Sequence, residues 1–131
     1  SPKIVRYLAD VNPPEHPALA RCRAETARLP MARMQISAEQ GTFMQVLVRM
    51  IGAKRAFEVG VFTGYSSLAV ALAMRESHGQ SARLLACDIS EEWTARAYEY
   101  WREAGVDGMI DLNLAPAVET LDRRLQARES G

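Results

Sequence analysis

The stretch Glu58-Val59-Gly60-Val61-Phe62-Thr63-Gly64-Tyr65-Ser66-Ser67 decides how the chain is read. It follows an apolar, strand-like run, Arg55 to Val59, and leads into a helix-like run from Leu68 to Met74. A strand that breaks at glycine and re-forms as a helix can bring backbone close to a ligand, because Gly60 and Gly64 carry no Cβ and accept positive φ. The new helix offers free N–H groups and the positive end of its dipole to an anionic group. The same glycines also suit a plain strand-to-helix turn, so the reading rests on what accompanies them.

Downstream, Ala82 to Cys87 is an unbroken apolar run ending at Asp88, as in a buried parallel strand. Ser90, with Glu91 and Glu92 behind it, opens a further helix that ends before Gly105, with Trp93, Ala97, Tyr100, Trp101 and Ala104 as its face. Ile110, Leu112 and Leu114 alternate with Asp111 and Asn113 in a third strand. Ala115-Pro116-Ala117 then turns into an amphipathic helix carrying Val118, Leu121 and Leu125.

Upstream, the proline-rich break Asn12 to Pro17 precedes a helix expected over Pro17–Arg28, and His16 reads as a solvated loop residue. Met31 to Ile36 forms a connector of flexible side chains. Ser37-Ala38-Glu39-Gln40 reads as a capping box for a helix whose Phe43, Met44, Val46, Leu47, Met50 and Ile51 form one apolar face, stopped by Gly52. His78 falls in an expected surface loop, Ser77–Ser81.

Two helices followed by three strand-helix units predict an α/β fold: a parallel sheet flanked by helices, with right-handed crossovers. Residues 1–53 hold the N-terminal helices and 54–131 the three units. The 131 residues suffice for one domain. Sixteen acidic and sixteen basic residues balance, which argues against nucleic-acid or membrane-surface partners. No apolar run reaches the roughly 20 residues a membrane helix needs. With two widely spaced cysteines and no signal-like N-terminus, a reducing cytoplasm is expected.

Ligands on such sheets bind beyond the C-terminal strand ends, here Glu58 to Gly60, Asp88, and Ala115 to Ala117. Asp88 lies one strand-helix-strand unit after Glu58, where an acidic residue can accept from two ribose hydroxyls. A dinucleotide fingerprint needs a glycine where this chain has Phe62, and two helices precede the first strand, so a nicotinamide-dependent oxidoreductase is disfavoured. S-adenosylmethionine has no phosphate, and needs a glycine loop, an anchor for its amino-acid end and an acidic ribose clamp. The residues suit it better.

Taken in order, Met34 to Gly41, Glu58 to Ser66, Ala86 to Ile89 and Ala115 to Ala117 resemble the cation-dependent O-methyltransferases of the caffeoyl-CoA and catechol type. The resemblance implies a Rossmann-like methyltransferase fold and S-adenosylmethionine-dependent methylation of a hydroxyl on a small catechol-like or phenolic acceptor. It places Glu58, Gly60 and Val61 at the methionine end of the cofactor, Ser66 on its carboxylate or amino group, Asp88 on the ribose, Ala117 by backbone on the adenine, and Ile36 nearby. A threonine is common where Ile36 stands and a glycine where Ala115 stands.

The family's divalent metal, usually magnesium, and its catalytic lysine belong to a fourth strand and later segments with no match here, so no catalytic residue or metal ligand is assigned. The chain is therefore expected to be the cofactor-binding portion of an enzyme that is a homodimer when complete, with the first strand left at a cut edge. The alternative is a non-catalytic cofactor-binding or dimerisation module.

Overall fold

The structure, a computed structural model, describes residues 3, 15–30 and 35–130. The expected break at residues 12–14 and the connector methionines 31 and 34 lie outside the described residues. Helix α1 (Pro17–Thr26) starts with proline at its first turn. Its N-cap is His16, whose Nδ1 accepts from the Ala18 N–H at 3.0 Å. His16 is thus a cap rather than a solvated loop residue, and α1 stops at Thr26, two residues short of the expected end.

Helix α2 (Ala38–Ile51) begins as its sequence requires: Ser37 Oγ accepts from the Gln40 N–H at 3.1 Å. It ends at Gly52 in the left-handed conformation (φ 62°). Strand β1 (Arg55–Val59), helix α3 (Tyr65–His78), β2 (Arg83–Asp88), α4 (Glu91–Glu103), β3 (Ile110–Leu114) and α5 (Ala117–Ser130) follow. Helix α3 runs through the expected loop to His78, whose Nε2 lies 2.9 Å from the Gly52 carbonyl, so this histidine ties α3 to the end of α2.

The three strands are parallel in the order β1-β2-β3. Glu58 lies opposite Ala86, and Asp88 opposite Leu114. The Gly60 N–H donates to the Cys87 carbonyl at 2.8 Å, carrying the ladder one residue past β1. Gly60, Asp88 and Leu114 therefore stand together at one end of the sheet.

One face of the sheet, with Leu84, Ala86 and Ile110, packs into a core completed by Leu68, Met74, Tyr100 and Trp101 from α3 and α4. Helix α3 is buried on most sides because α1, α2 and α4 all pack on it as well as the sheet. Burying each such large apolar side chain contributes about 1.5–3 kcal/mol.

Two apolar helix faces read from the sequence stay largely uncovered. The apolar stripe of α2 is largely exposed: Phe43 is 61% exposed and Met50 and Ile51 each 76%, while Met44 packs against the core. Only Gly41 of that helix is fully buried, against the Tyr65 ring. Along α5, Val118, Leu121 and Leu125 are exposed, and the buried residue is Thr120. Both stripes have the right spacing, but no described element covers their exposed residues. No described helix is long and apolar enough to cross a membrane.

Candidate functional site

The site is built on the turn between β1 and α3. Gly60 (φ 82°), Phe62 (51°) and Gly64 (88°) are all left-handed. At Gly64 a Cβ would lie 2.6 Å from Ala97 Cβ and 2.9 Å from Trp101 Nε1, so α4 can approach only because a glycine is there. Around Gly60 a Cβ would meet no described atom within 4 Å, and among the described residues that side of the loop stays open. A left-handed non-glycine costs about 1–2 kcal/mol, so Phe62 must be held. Its ring meets Trp93 edge-on at 5.0 Å, and its N–H donates to Asp88.

Asp88 is the clasp of this loop. Its Oδ2 accepts from the N–H groups of Val61 (2.7 Å) and Phe62 (3.0 Å), and its Oδ1 from those of Ile89 (2.7 Å) and Ser90 (2.9 Å). Desolvation works to raise its pKa, but the N–H groups of Ser90, Phe62, Val61 and Ile89 outweigh it and hold the carboxyl below its ordinary value. A carboxylate has about four acceptor positions, so all are in use. The spacing argument saw a ribose acceptor here and missed this structural duty.

Beside the open side of the loop lies a pocket of about 260 Å³, lined among others by Gln35, Ile36, Glu58, Gly60, Val61 and Ser66. Five of the seven residues assigned from sequence thus come together: Ile36, Glu58, Gly60, Val61 and Ser66. Asp88 sits beneath the loop rather than in the pocket wall. Ala117 begins α5, the helix that follows β3.

Among the described residues Glu58 is the only charged one lining the pocket. Its Oε1 accepts from Ser66 Oγ, while Oε2 is buried without a partner among the described residues. Desolvation pushes the carboxyl up to about 7, against the pull of the Ser66 and Ser67 hydroxyls. Gln35 adds a second buried acceptor without a partner, its Oε1, while its Nε2 donates to the Arg23 carbonyl at 3.3 Å. Two orphaned acceptors in one wall call for a ligand that donates hydrogen bonds and carries positive charge. Sequence reading passed over Gln35, because nothing local marks a connector glutamine as part of a pocket.

A larger cavity, about 700 Å³, lies between α1, α2 and α3, with Tyr65 as a wall common to both. Four of its charged residues pair with one another: Arg23 with Glu15 at 2.9 Å and Arg49 with Glu76 at 2.7 Å. The smaller pocket, with its unmet polar atoms, is the better candidate.

A sequence model of the O-methyltransferase family matches residues 9–131. The chain belongs to that family. It is 39% identical over 126 residues to the mouse catechol O-methyltransferase domain-containing protein 1, covering 96% of this chain and 47% of that protein. It is 37% identical over 128 residues to caffeoyl-CoA O-methyltransferase from Medicago sativa, covering 96% and 50%.

Among solved structures, a Podospora anserina methyltransferase bound to S-adenosylhomocysteine superposes with a TM-score of 0.80 at 28% identity, over 91% of this chain and 50% of that one. An O-methyltransferase of tomaymycin synthesis from Streptomyces achromogenes, in complex with S-adenosylmethionine, gives 0.79 at 27% identity, over 92% and 52%. The chain spans about half the length of the curated relatives it matches. Its fold is the Rossmann-like one of these methyltransferases, over their three-stranded portion.

Proposed function

We propose that these residues form the methyl-donor half of an S-adenosylmethionine-dependent O-methyltransferase acting on a hydroxyl of a small catechol-like or phenolic acceptor. The observation that carries this reading is the pair of orphaned buried acceptors, Glu58 Oε2 and Gln35 Oε1, in a pocket whose described lining holds no basic side chain. A pyrophosphate would meet the Glu58 carboxylate there and no compensating cation among the described residues. A zwitterionic amino-acid end meets complementary groups: its ammonium would face Glu58 and Gln35, and its carboxylate the start of α3, where Gly64 leaves the first N–H groups without a side-chain cap.

When bound, the cofactor would supply an electrophilic methyl group on a sulfonium for in-line transfer to the acceptor oxygen. The chain's own part is to bind and orient: Gly60 and Val61 approach by backbone, Ser66 shares its hydroxyl with the amino-acid end, and Ile36 closes the apolar side. Asp88 lies toward the ribose, whose hydroxyls would compete with its backbone N–H groups. Ala117, at the third strand end, would stand at the adenine. This positioning converts an encounter into a preassembled geometry, a large source of rate acceleration.

A divalent metal does not fit the described residues, among which no three His, Cys, Asp or Glu side chains converge. The acceptor, any metal and the homodimer contacts are assigned to the half of the fold that these residues do not match.

Calorimetric titration with S-adenosylhomocysteine tests the reading. One-site binding is expected, weakened by Glu58→Gln and by Ser66→Ala, with no binding of NAD. Absence of heat at millimolar S-adenosylhomocysteine would sink it.

A further inference from the structure

Helix α1 contributes nothing to the wall of the cofactor pocket, yet it is bonded to the loop that forms it. Thr26 Oγ1, in the last turn of α1, lies 2.7 Å from Thr63 Oγ1, and both residues are 1% exposed. One turn earlier, Cys22 Sγ donates to the Thr63 carbonyl at 3.4 Å. Burial keeps that thiol protonated, so it is available as a donor. Thr63 stands between the two left-handed residues Phe62 and Gly64. The helix is anchored in turn to α4: Arg21 pairs with Glu103, and the Tyr100 hydroxyl donates to Glu25 at 3.0 Å. Asp88 holds the near side of the loop by two N–H groups, and α1 holds the far side by Thr63.

We infer that Thr26 is a positioning residue for the cofactor loop, acting through Thr63 to keep the β1–α3 turn in its binding conformation. The inference rests on the cofactor reading above. Without Thr26 the buried Thr63 hydroxyl keeps only the Cys22 thiol, 3.9 Å away, so it seeks another partner, and the loop is the movable element that lets it do so. Any population lost from the bound-like conformation lowers apparent affinity in proportion. A contact serving only to pack α1 would change melting and leave affinity alone.

Three forms of the chain separate these cases: wild type, Thr26→Val, which keeps the shape and removes the hydroxyl, and Thr26→Ser, which keeps the hydroxyl. Affinity for S-adenosylhomocysteine is read by calorimetry well below the melting temperature, and amide hydrogen exchange of Val61 to Gly64 is read without ligand. Thr26→Val is expected to bind about tenfold more weakly and to exchange faster across the loop, while Thr26→Ser stays near wild type in both. Wild-type affinity and loop exchange in Thr26→Val, with only its melting temperature lowered, overturns the proposal.

If Thr26→Val does not fold, Thr26→Val/Thr63→Val, which orphans no hydroxyl, replaces it. Weakening of about threefold or more with faster loop exchange then supports the brace, and wild-type values overturn it. Should wild type itself fail to bind, the cofactor reading falls, and loop exchange alone decides whether α1 braces the turn.

Discussion

Replacing Glu58 with glutamine removes a charge that the fold holds at a cost. The Glu58 carboxyl is pushed up to about 7 from an ordinary 4.5, first by desolvation, with Ser66 and Ser67 pulling the other way. Between those two values the folded chain binds a proton that the unfolded chain has released, so stability falls as pH rises through this window. The penalty is absent below about 4.5, where both states are protonated, and complete above about 7. The difference of 2.5 between 7 and 4.5 corresponds to about 3 kcal/mol at 1.36 kcal/mol per pKa unit.

The amide of Glu58→Gln does not titrate, and its buried NH2 adds an offset independent of pH. Urea unfolding of both forms from pH 4 to pH 8 should therefore show the variant gaining on wild type by about 3 kcal/mol across the range. S-adenosylhomocysteine should flatten the wild-type slope, because its ammonium favours the charged carboxylate. Parallel stability curves for the two forms would refute the reasoning, and would place Glu58 in contact with water rather than in a dry pocket.

Other substitutions test the loop and the open edge. Gly64→Ala forces a Cβ into Ala97 and Trp101 at positive φ, and should lower stability by about 3 kcal/mol or more in denaturant melts. Gly60→Ala meets no described neighbour, so it should cost only about 1 kcal/mol of conformational strain while weakening S-adenosylhomocysteine binding clearly more than its stability loss suggests. Asp88→Asn turns one acceptor oxygen into a donor facing backbone N–H groups, and should destabilise by about 2–3 kcal/mol at pH 7. Because the Asp88 pKa is depressed, its contribution is present above the unfolded value of 3.8 and fades as pH falls below it, so the gap between wild type and Asp88→Asn should narrow in acid. Val59, 62% exposed on the outer strand β1, should accept lysine with little change in melting temperature, and light scattering should show less association of the 131-residue chain, as charge blunts an open edge.

Local chemistry was enough to place most of the architecture. Ser37 and Gly52 mark the ends of α2, Pro17 the start of α1, and the glycines at 60 and 64 the turn from β1 to α3, because caps and left-handed turns depend on a few adjacent residues. The order of strands and helices, and with it the parallel sheet, follows from the same local signals. The pocket that gathers Ile36, Glu58, Gly60, Val61 and Ser66 was legible in large part because four of these five lie within one nine-residue stretch.

Tertiary structure alone decided the rest. Periodicity shows that α2 and α5 each have an apolar side, but exposure depends on what lies opposite, and Phe43, Met50 and Val118 have no described cover. Asp88 reads from sequence as a ligand residue because of its place at a strand end. Two of its four backbone bonds depend on a loop 26 and 27 residues upstream being folded over it. The Thr26–Thr63 pair spans 37 residues, and Gln35 enters the pocket from a connector without any pattern. Short-range preferences are written residue by residue along the chain, whereas burial, and the pairing that burial demands, exists only once distant segments share one interior.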